Sequence, residues 1–322
     1  MRSPAVVVLT AVVASAQTFA PDRLFEADSR MIRVSFSRDG NTVVGTSQDG
    51  TARAWDVKSG ALLRTVQWTG DFPFGVAIAP GGDVLAAGVR PQMVNVWDLT
   101  SGRIINELSG HVGFLDDAVH QFSRDGALLA TSSQGQARLW ELPSGRLRFD
   151  TTAGDGAVVS FSFSPDNQML AGANEDTNVR VWSVRDGREL QVIGDQPLLT
   201  TTLAFSADGK QLIAGNLDRQ IYVWDTATWR RIRRFGNAPE AIYSLDLSPN
   251  GRLVATGGLD PNGMDLPAHL VVWDLASGKA LRTIRLPHSA NQVAFSPDGS
   301  VVAVANLAAG VKLWRVSELL MR

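Results

Sequence analysis

Four histidines, at 111, 120, 269 and 288, are the first place to look for metal or acid–base chemistry in this chain of 322 residues. No two share the His-x-x-x-His spacing that would put both rings on one metal. Cysteine is absent, which excludes a disulfide framework and a zinc–thiolate site and leaves either redox compartment open. "DPNGMD" at 260–265 offers the oxygens of Asp260, Asn262 and Asp265 to calcium. Its glycine is misplaced for an EF-hand loop, so a solvated Asn-Gly turn is the expectation. "WRRIRRF" at 229–235 carries four arginines. They suggest an anion patch, but charges guarding an exposed edge strand are the commoner use of such a segment. No nucleophile–base pair, phosphate-binding glycine loop or paired-carboxylate signature is present. The expected site inventory is therefore no catalytic residue, no cofactor and no metal. A formal net charge of −2 gives no reason to expect a nucleic-acid partner.

The elements that would carry any site repeat. "ARAWDV", "VNVWDL", "ARLWEL", "VRVWSV", "IYVWDT", "LVVWDL" and "VKLWRV" place tryptophan at 55, 97, 140, 182, 224, 273 and 314. About nineteen residues before most of them stands a turn signature: "FSRDG" (36–40 and 122–126), "FSPDN", "FSADG", "LSPNG" or "FSPDG". The second repeat has the degenerate "IAPGG" at 78–82. A second turn, marked by Gly60, Gly102, Gly145, Gly187 and Gly278, follows five residues after the tryptophan. Each unit reads as four short strands, a to d, with tryptophan on c and a more polar d. The two middle strands are apolar on both faces, as strands buried between neighbouring sheets must be. One such sheet of about 42 residues cannot bury both faces alone, whereas sheets packed radially around an axis can.

This motif set resembles the WD-repeat family over residues 18–322. The resemblance implies an all-β, seven-bladed propeller of four-stranded antiparallel blades. After Trp314 only eight residues remain, so the seventh blade lacks its own strand d. Residues 18–25, "TFAPDRLF", sit where strand d stands before the next strand a, and are expected to close the ring. The alternative closer is "SELLMR" at the carboxyl end. In the family, a His from the d–a loop bonds an Asp of the b–c turn behind the tryptophan. Here Asp49, Asp176 and Asp218 stand six residues before their tryptophans without a Gly-His. The single Gly-His, Gly110-His111, has Gln134 in place of the Asp. No blade holds the complete set. His120 replaces Val34, Leu203 and Val293 of other repeats, and a buried neutral imidazole with one hydrogen-bond partner is expected there.

The d–a and b–c loops emerge on one face of a propeller, where the family binds partners. Trp68, Phe72 and Phe114 in d–a loops, with Arg90 and Arg219 in b–c loops, are the residue types that anchor interfaces. Trp229, in place of a turn glycine, either packs over the outer strand or serves as an exposed anchor. At the amino end Arg2, the apolar run Pro4–Val13 and Ala14-Ser15-Ala16 read as a signal peptide over 1–16, followed by one domain over 17–322. The apolar run is too short to span a bilayer. The expected function is a monomeric, non-catalytic interaction scaffold of the periplasm or exterior, binding an unidentified protein or peptide. The alternatives are a lactonase- or dehydrogenase-like enzyme or small-ligand binder of the central channel, and an envelope accessory like the Tol-system propeller.

Overall fold

The computed structural model describes residues 22–27, 29–67, 74–89, 92–111, 119–133, 135–154, 156–194, 196–259, 266–306 and 310–321. Twenty-eight strands among them form seven four-stranded antiparallel sheets, the blades of a β-propeller. Blade 1 shows the unit: a is Met31–Phe36, b is Thr42–Ser47, c is Thr51–Asp56 and d is Leu62–Gln67. The recurrent "FS-x-D" turn is held by its own side chains. Ser37 Oγ donates to Asp39 at 2.6 Å and accepts the Thr42 N–H at 2.9 Å, and Asp39 accepts the Asn41 N–H at 3.0 Å. The same pattern recurs from Ser123, Ser164, Ser206 and Ser296 to their aspartates, and from Ser248 to Asn250. These bonds hold the Asp39 carboxyl down at about 2, the one from Ser37 contributing most.

Apolar strands force the blades together. In blade 3 every residue of strand b, Leu128–Ser133, is buried. The core is accordingly a series of slabs between neighbouring blades. In one of them Ala171, Val181 and Ile193 of blade 4 meet Leu203, Leu212 and Trp224 of blade 5. In blades 1 to 6 the c–d pairing slips by one residue just before the tryptophan, a bulge that turns strand d outward. In blades 1 and 4 the Trp55 and Trp182 rings lie against the strand b glycines Gly45 and Gly172. At Gly172 an added Cβ would come within 2.7 Å of the Trp182 ring, so this position has room for hydrogen only.

The seventh sheet joins both ends of the chain, its order running from Arg23–Phe25 through Gly310–Arg315 and Val301–Asn306 to Ala290–Phe295. Leu24 pairs with Lys312 and Phe25 with Val311. The Asp22 N–H adds a bond to the Leu313 carbonyl at 2.8 Å, and the Asp22 carboxylate accepts the Arg315 N–H. The expected closing strand is thus present over its carboxyl half, while residues 18–21 lie outside the described residues. The two apolar side chains of this strand face opposite ways. Phe25 is 2% exposed but Leu24 is 42% exposed, because a three-residue strand on the outer edge turns only alternate side chains into the slab. "SELLMR" forms no strand: Val316–Leu320 is a short helix whose Val316 and Leu319 pack on blade 6.

The innermost strands have one free edge, and neighbouring blades cap it with side chains. Ser160 and Ser162 of blade 4 accept the Leu203 and Phe205 N–H groups of blade 5, each at 3.1 Å. Ser244 and Asp246 of blade 6 accept those of Val293 and Phe295, at 2.9 and 2.7 Å. Gln292 Oε1 of blade 7 accepts that of Val34 at 2.8 Å. Blade 5 has Ala204 where blade 4 has Ser162, so it supplies no cap to Leu247. Asp246 replaces that cap by accepting the Leu247 N–H with its second oxygen at 2.8 Å.

Burial pushes the Asp246 carboxyl up to about 6, against the two N–H bonds and the charge of Arg124. A folded value above the ordinary 3.8 means that the native state holds its proton longer than the unfolded chain. The Asp246 contribution therefore favours folding at about pH 4 and is lost as pH rises towards 6, by about 2 kcal/mol after allowing for channel solvent. Asp246→Ser, which copies Ser162, should lack this decline. Urea midpoints of both proteins between pH 4 and pH 7 check it, and parallel pH curves would refute it.

Candidate functional site

One face is built jointly by the d–a and b–c loops, as their cross-bonds show. The Ala238 N–H donates to the Arg219 carbonyl at 3.0 Å and the Ala153 N–H to the Gly135 carbonyl at 2.6 Å. Gln67 Nε2 reaches the Asp49 carbonyl at 3.3 Å. Of the five anchors expected from the sequence, only Arg219 falls among the described residues; Trp68, Phe72, Arg90 and Phe114 lie outside them. Arg219 occupies the left-handed position of its b–c turn, with φ of 66°. Its backbone N–H bonds the Asn216 carbonyl at 3.1 Å, so the turn is fixed at both peptide groups. The side chain is exposed and makes no ion pair among the described residues.

The turn aspartates that lack a histidine have found another partner. Two residues before the tryptophan, strand c carries Arg53, Arg180 or Tyr222. Arg53 pairs with Asp49 at 3.1 Å and Arg180 with Asp176 at 2.7 Å. The Tyr222 hydroxyl donates to Asp218 at 2.6 Å. Burial alone would raise Asp49, but bonds from Ser47, Thr51 and Arg53 outweigh it and the carboxyl ends below its ordinary value. Tyr222 is pushed up to about 12, first by burial and then by Asp218. The Arg231 and Arg234 guanidinium groups lie over its ring, at 5.6 and 5.7 Å from the centroid. Arg233 donates to the carbonyls of Leu275 and Ala276 on the next blade. Three of the four arginines of "WRRIRRF" thus bind the protein itself. Trp229, at φ of 55°, packs against the slab between blades 4 and 5, which decides for packing over the exposed anchor.

Blade 3 keeps the other half of the family's network. Trp140 Nε1 donates to Thr131 Oγ1 at 2.9 Å, and that hydroxyl lies 2.9 Å from His111 Nε2. Burial, then the charge of Arg138, lowers His111 to about 4, so the ring is neutral at pH 7. After accepting the indole N–H the Thr131 hydroxyl keeps one proton and one lone pair, so it bonds Nε2 in either neutral tautomer of His111. Arg138 bonds the Gly110 carbonyl and pairs with Asp150 at 2.9 Å, filling the side where the Asp would stand.

His120 is 3% exposed and burial pushes it down to about 3. It is buried and neutral as expected, but neither ring nitrogen has a hydrogen-bond partner, contrary to the expected one. His269 Nδ1 lies 2.6 Å from Glu240 Oε1. Among the described residues no three His, Asp or Glu side chains converge as a metal site. The segment 260–265 lies outside those residues.

The pairs at Arg53, Arg180 and Tyr222 escaped sequence reasoning, although polar residues recurring two before the tryptophan were a readable signal. The channel residues Arg33, Asp246 and Gln292 escaped as well. Which side of strand a faces the axis cannot be told from composition.

Comparison with known proteins bears on the same repeats. The family described as "WD domain, G-beta repeat" matches residues 23–56, 102–141, 147–183, 193–225 and 229–262, more than half of the chain. "Periodic tryptophan protein 2" of Arabidopsis thaliana is 30% identical over 167 residues, 50% of this chain and 18% of that protein. "Nuclear distribution protein nudF" of Aspergillus niger is 29% identical over 184 residues, 51% of this chain and 41% of that protein. "Guanine nucleotide-binding protein subunit beta" of Lymnaea stagnalis is 25% identical over 142 residues, 43% of this chain and 41% of that protein. The match therefore spans less than two thirds of the length of each of these relatives.

Proposed function

Because the chain belongs to the WD-repeat family, we propose that it is a non-catalytic interaction scaffold that holds a protein or peptide on its d–a and b–c loop face. The observation that carries this reading is the family's repeat organisation together with an exposed Arg219, without an ion pair among the described residues, on a backbone-fixed turn of that face. One relative is by name a subunit, which agrees with a role in assembly. We place the action in the cell envelope or exterior, on the strength of Arg2, the Pro4–Val13 run and Ala14-Ser15-Ala16. The mature protein would then act as a monomer. No helix among the described residues is long and apolar enough to cross a membrane.

The test begins by cross-linking in the native host to capture the partner, followed by substitution on both faces. Truncating a true anchor among Trp68, Phe72, Arg90, Phe114 and Arg219 should cost at least about 2 kcal/mol of binding, with neighbours near neutral. Arg219→Gly is the cleanest of these, since glycine adopts the same left-handed backbone without strain. Losses concentrated at the opposite turns, around Ser59, Ser101 and Ser277, would overturn the face assignment. Amino-terminal sequencing of protein from its host should begin at Gln17, and a start at Met1 would overturn the export reading.

A further inference from the structure

We propose that the central channel binds a small oxyanion, a carboxylate or phosphate group, with the Arg33 guanidinium as its anchor. This goes beyond the scaffold reading and involves no residue of the loop face. The inner strands enclose a cavity of about 450 Å3 on whose wall Arg33 lies, a volume within the usual range for small-molecule sites. Arg33 Nε donates to the Val76 carbonyl at 3.2 Å, which orients the side chain. Its other N–H groups have no ion pair or hydrogen bond among the described residues. A guanidinium withdrawn from bulk water without a counter-charge is costly, and its planar fork matches a carboxylate or phosphate in two parallel bonds.

The wall around it is biased towards donors by the capping chemistry. Ser160, Ser162 and Ser244 each spend an oxygen on a backbone N–H of the next blade, leaving the hydroxyl proton to donate. Gln292 does the same with its amide oxygen, which leaves its two N–H groups to donate. That cap falls on Val34, the residue next to Arg33. The carboxylate of the wall, Asp246, has both oxygens engaged by the N–H groups of Phe295 and Leu247. At these positions the lining consumes acceptors and retains donors, which favours an anion over a cation there, whereas Ser35 and Gln121 of the same wall donate to the Phe36 and Phe122 carbonyls.

The experiment is a thermal-melt titration of the full chain with sodium phosphate and with citrate, against sodium chloride at matched ionic strength. Isothermal titration calorimetry then counts sites. At a concentration a hundredfold above Kd the midpoint should rise by roughly 3 °C or more beyond the chloride control. A response to phosphate alone, to citrate alone or to both supports the proposal and names the group. Arg33→Gln should abolish the rise. Gln292→Glu is the second variant: it keeps the cap on Val34 and the side-chain size, but supplies a resident carboxylate beside Arg33, so it too should abolish the rise. An equal rise in the parent and in Gln292→Glu, or no rise above chloride in the parent, overturns the proposal.

Discussion

A chain that starts at Asp28 should melt about 10 °C below the full-length protein or aggregate on expression, whereas one that starts at Gln17 should behave like the parent. The reason lies in the seventh blade. Its strand c, Gly310–Arg315, has the three residues Arg23–Phe25 as its outer neighbour. Without them an inner strand becomes an edge with unpaired backbone groups over apolar side chains. Phe25 carries most of the packing. It is 2% exposed, its ring centroid lies 5.5 Å from that of Trp55, and it joins Met31, Val34 and Trp55 of blade 1 to Val311 and Leu313 of blade 7.

Phe25→Ala alone should therefore cost about 3–5 kcal/mol, a large part of a domain's total of about 5–15 kcal/mol. Leu24→Ser is the control: at 42% exposure it should stay within about 0.5 kcal/mol. Gly310→Ala attacks the same joint from the other side, since an added Cβ would sit 1.9 Å from the Phe25 carbonyl oxygen at a backbone φ of +104°. Chemical denaturation of the three point variants settles the matter. Equal stability of the Gln17 and Asp28 chains would show that the ring does not depend on this latch.

The ring and its joint were legible because they rest on periodicity. Seven tryptophans in phase with a "FS-x-D" turn force a four-strand unit, and a unit missing at one end must be completed from the other. What the periodicity missed was the side to which Leu24 turns. The turn aspartates were equally visible, but their partners were not. The family pattern directs attention to a histidine in the d–a loop, while Arg53, Arg180 and Tyr222 reach the aspartates from within the same blade. The channel was least legible of all. Ser160 and Leu203 are 43 residues apart, and Gln292 and Val34 are 258 apart. Only the closed ring shows that a residue of one inner strand caps the backbone of the next, each time one position before the counterpart of the residue it caps. Arg33 reads as an ordinary polar residue of a half-exposed strand until the circle is drawn around it.

Thr131→Val should destabilise the protein by about 3–4 kcal/mol although it changes neither size nor shape, and Thr256→Val by only about half as much. In blade 6 the Thr256 hydroxyl accepts one bond, from Trp273 Nε1 at 2.9 Å. In blade 3 the Thr131 hydroxyl serves Trp140 and His111 together, and both rings are buried. Each buried polar atom left without a partner costs about 1–3 kcal/mol, so the number of stranded groups sets the ratio. The relay also needs a neutral His111, and burial with the neighbouring Arg138 secures that by holding its pKa at about 4. A double-mutant cycle of Thr131→Val with His111→Leu separates the indole bond from the imidazole bond, because only the second should show coupling between the two sites. If Thr131→Val and Thr256→Val cost the same, His111 gains nothing from Thr131, and the surviving half of the network in blade 3 is packing alone.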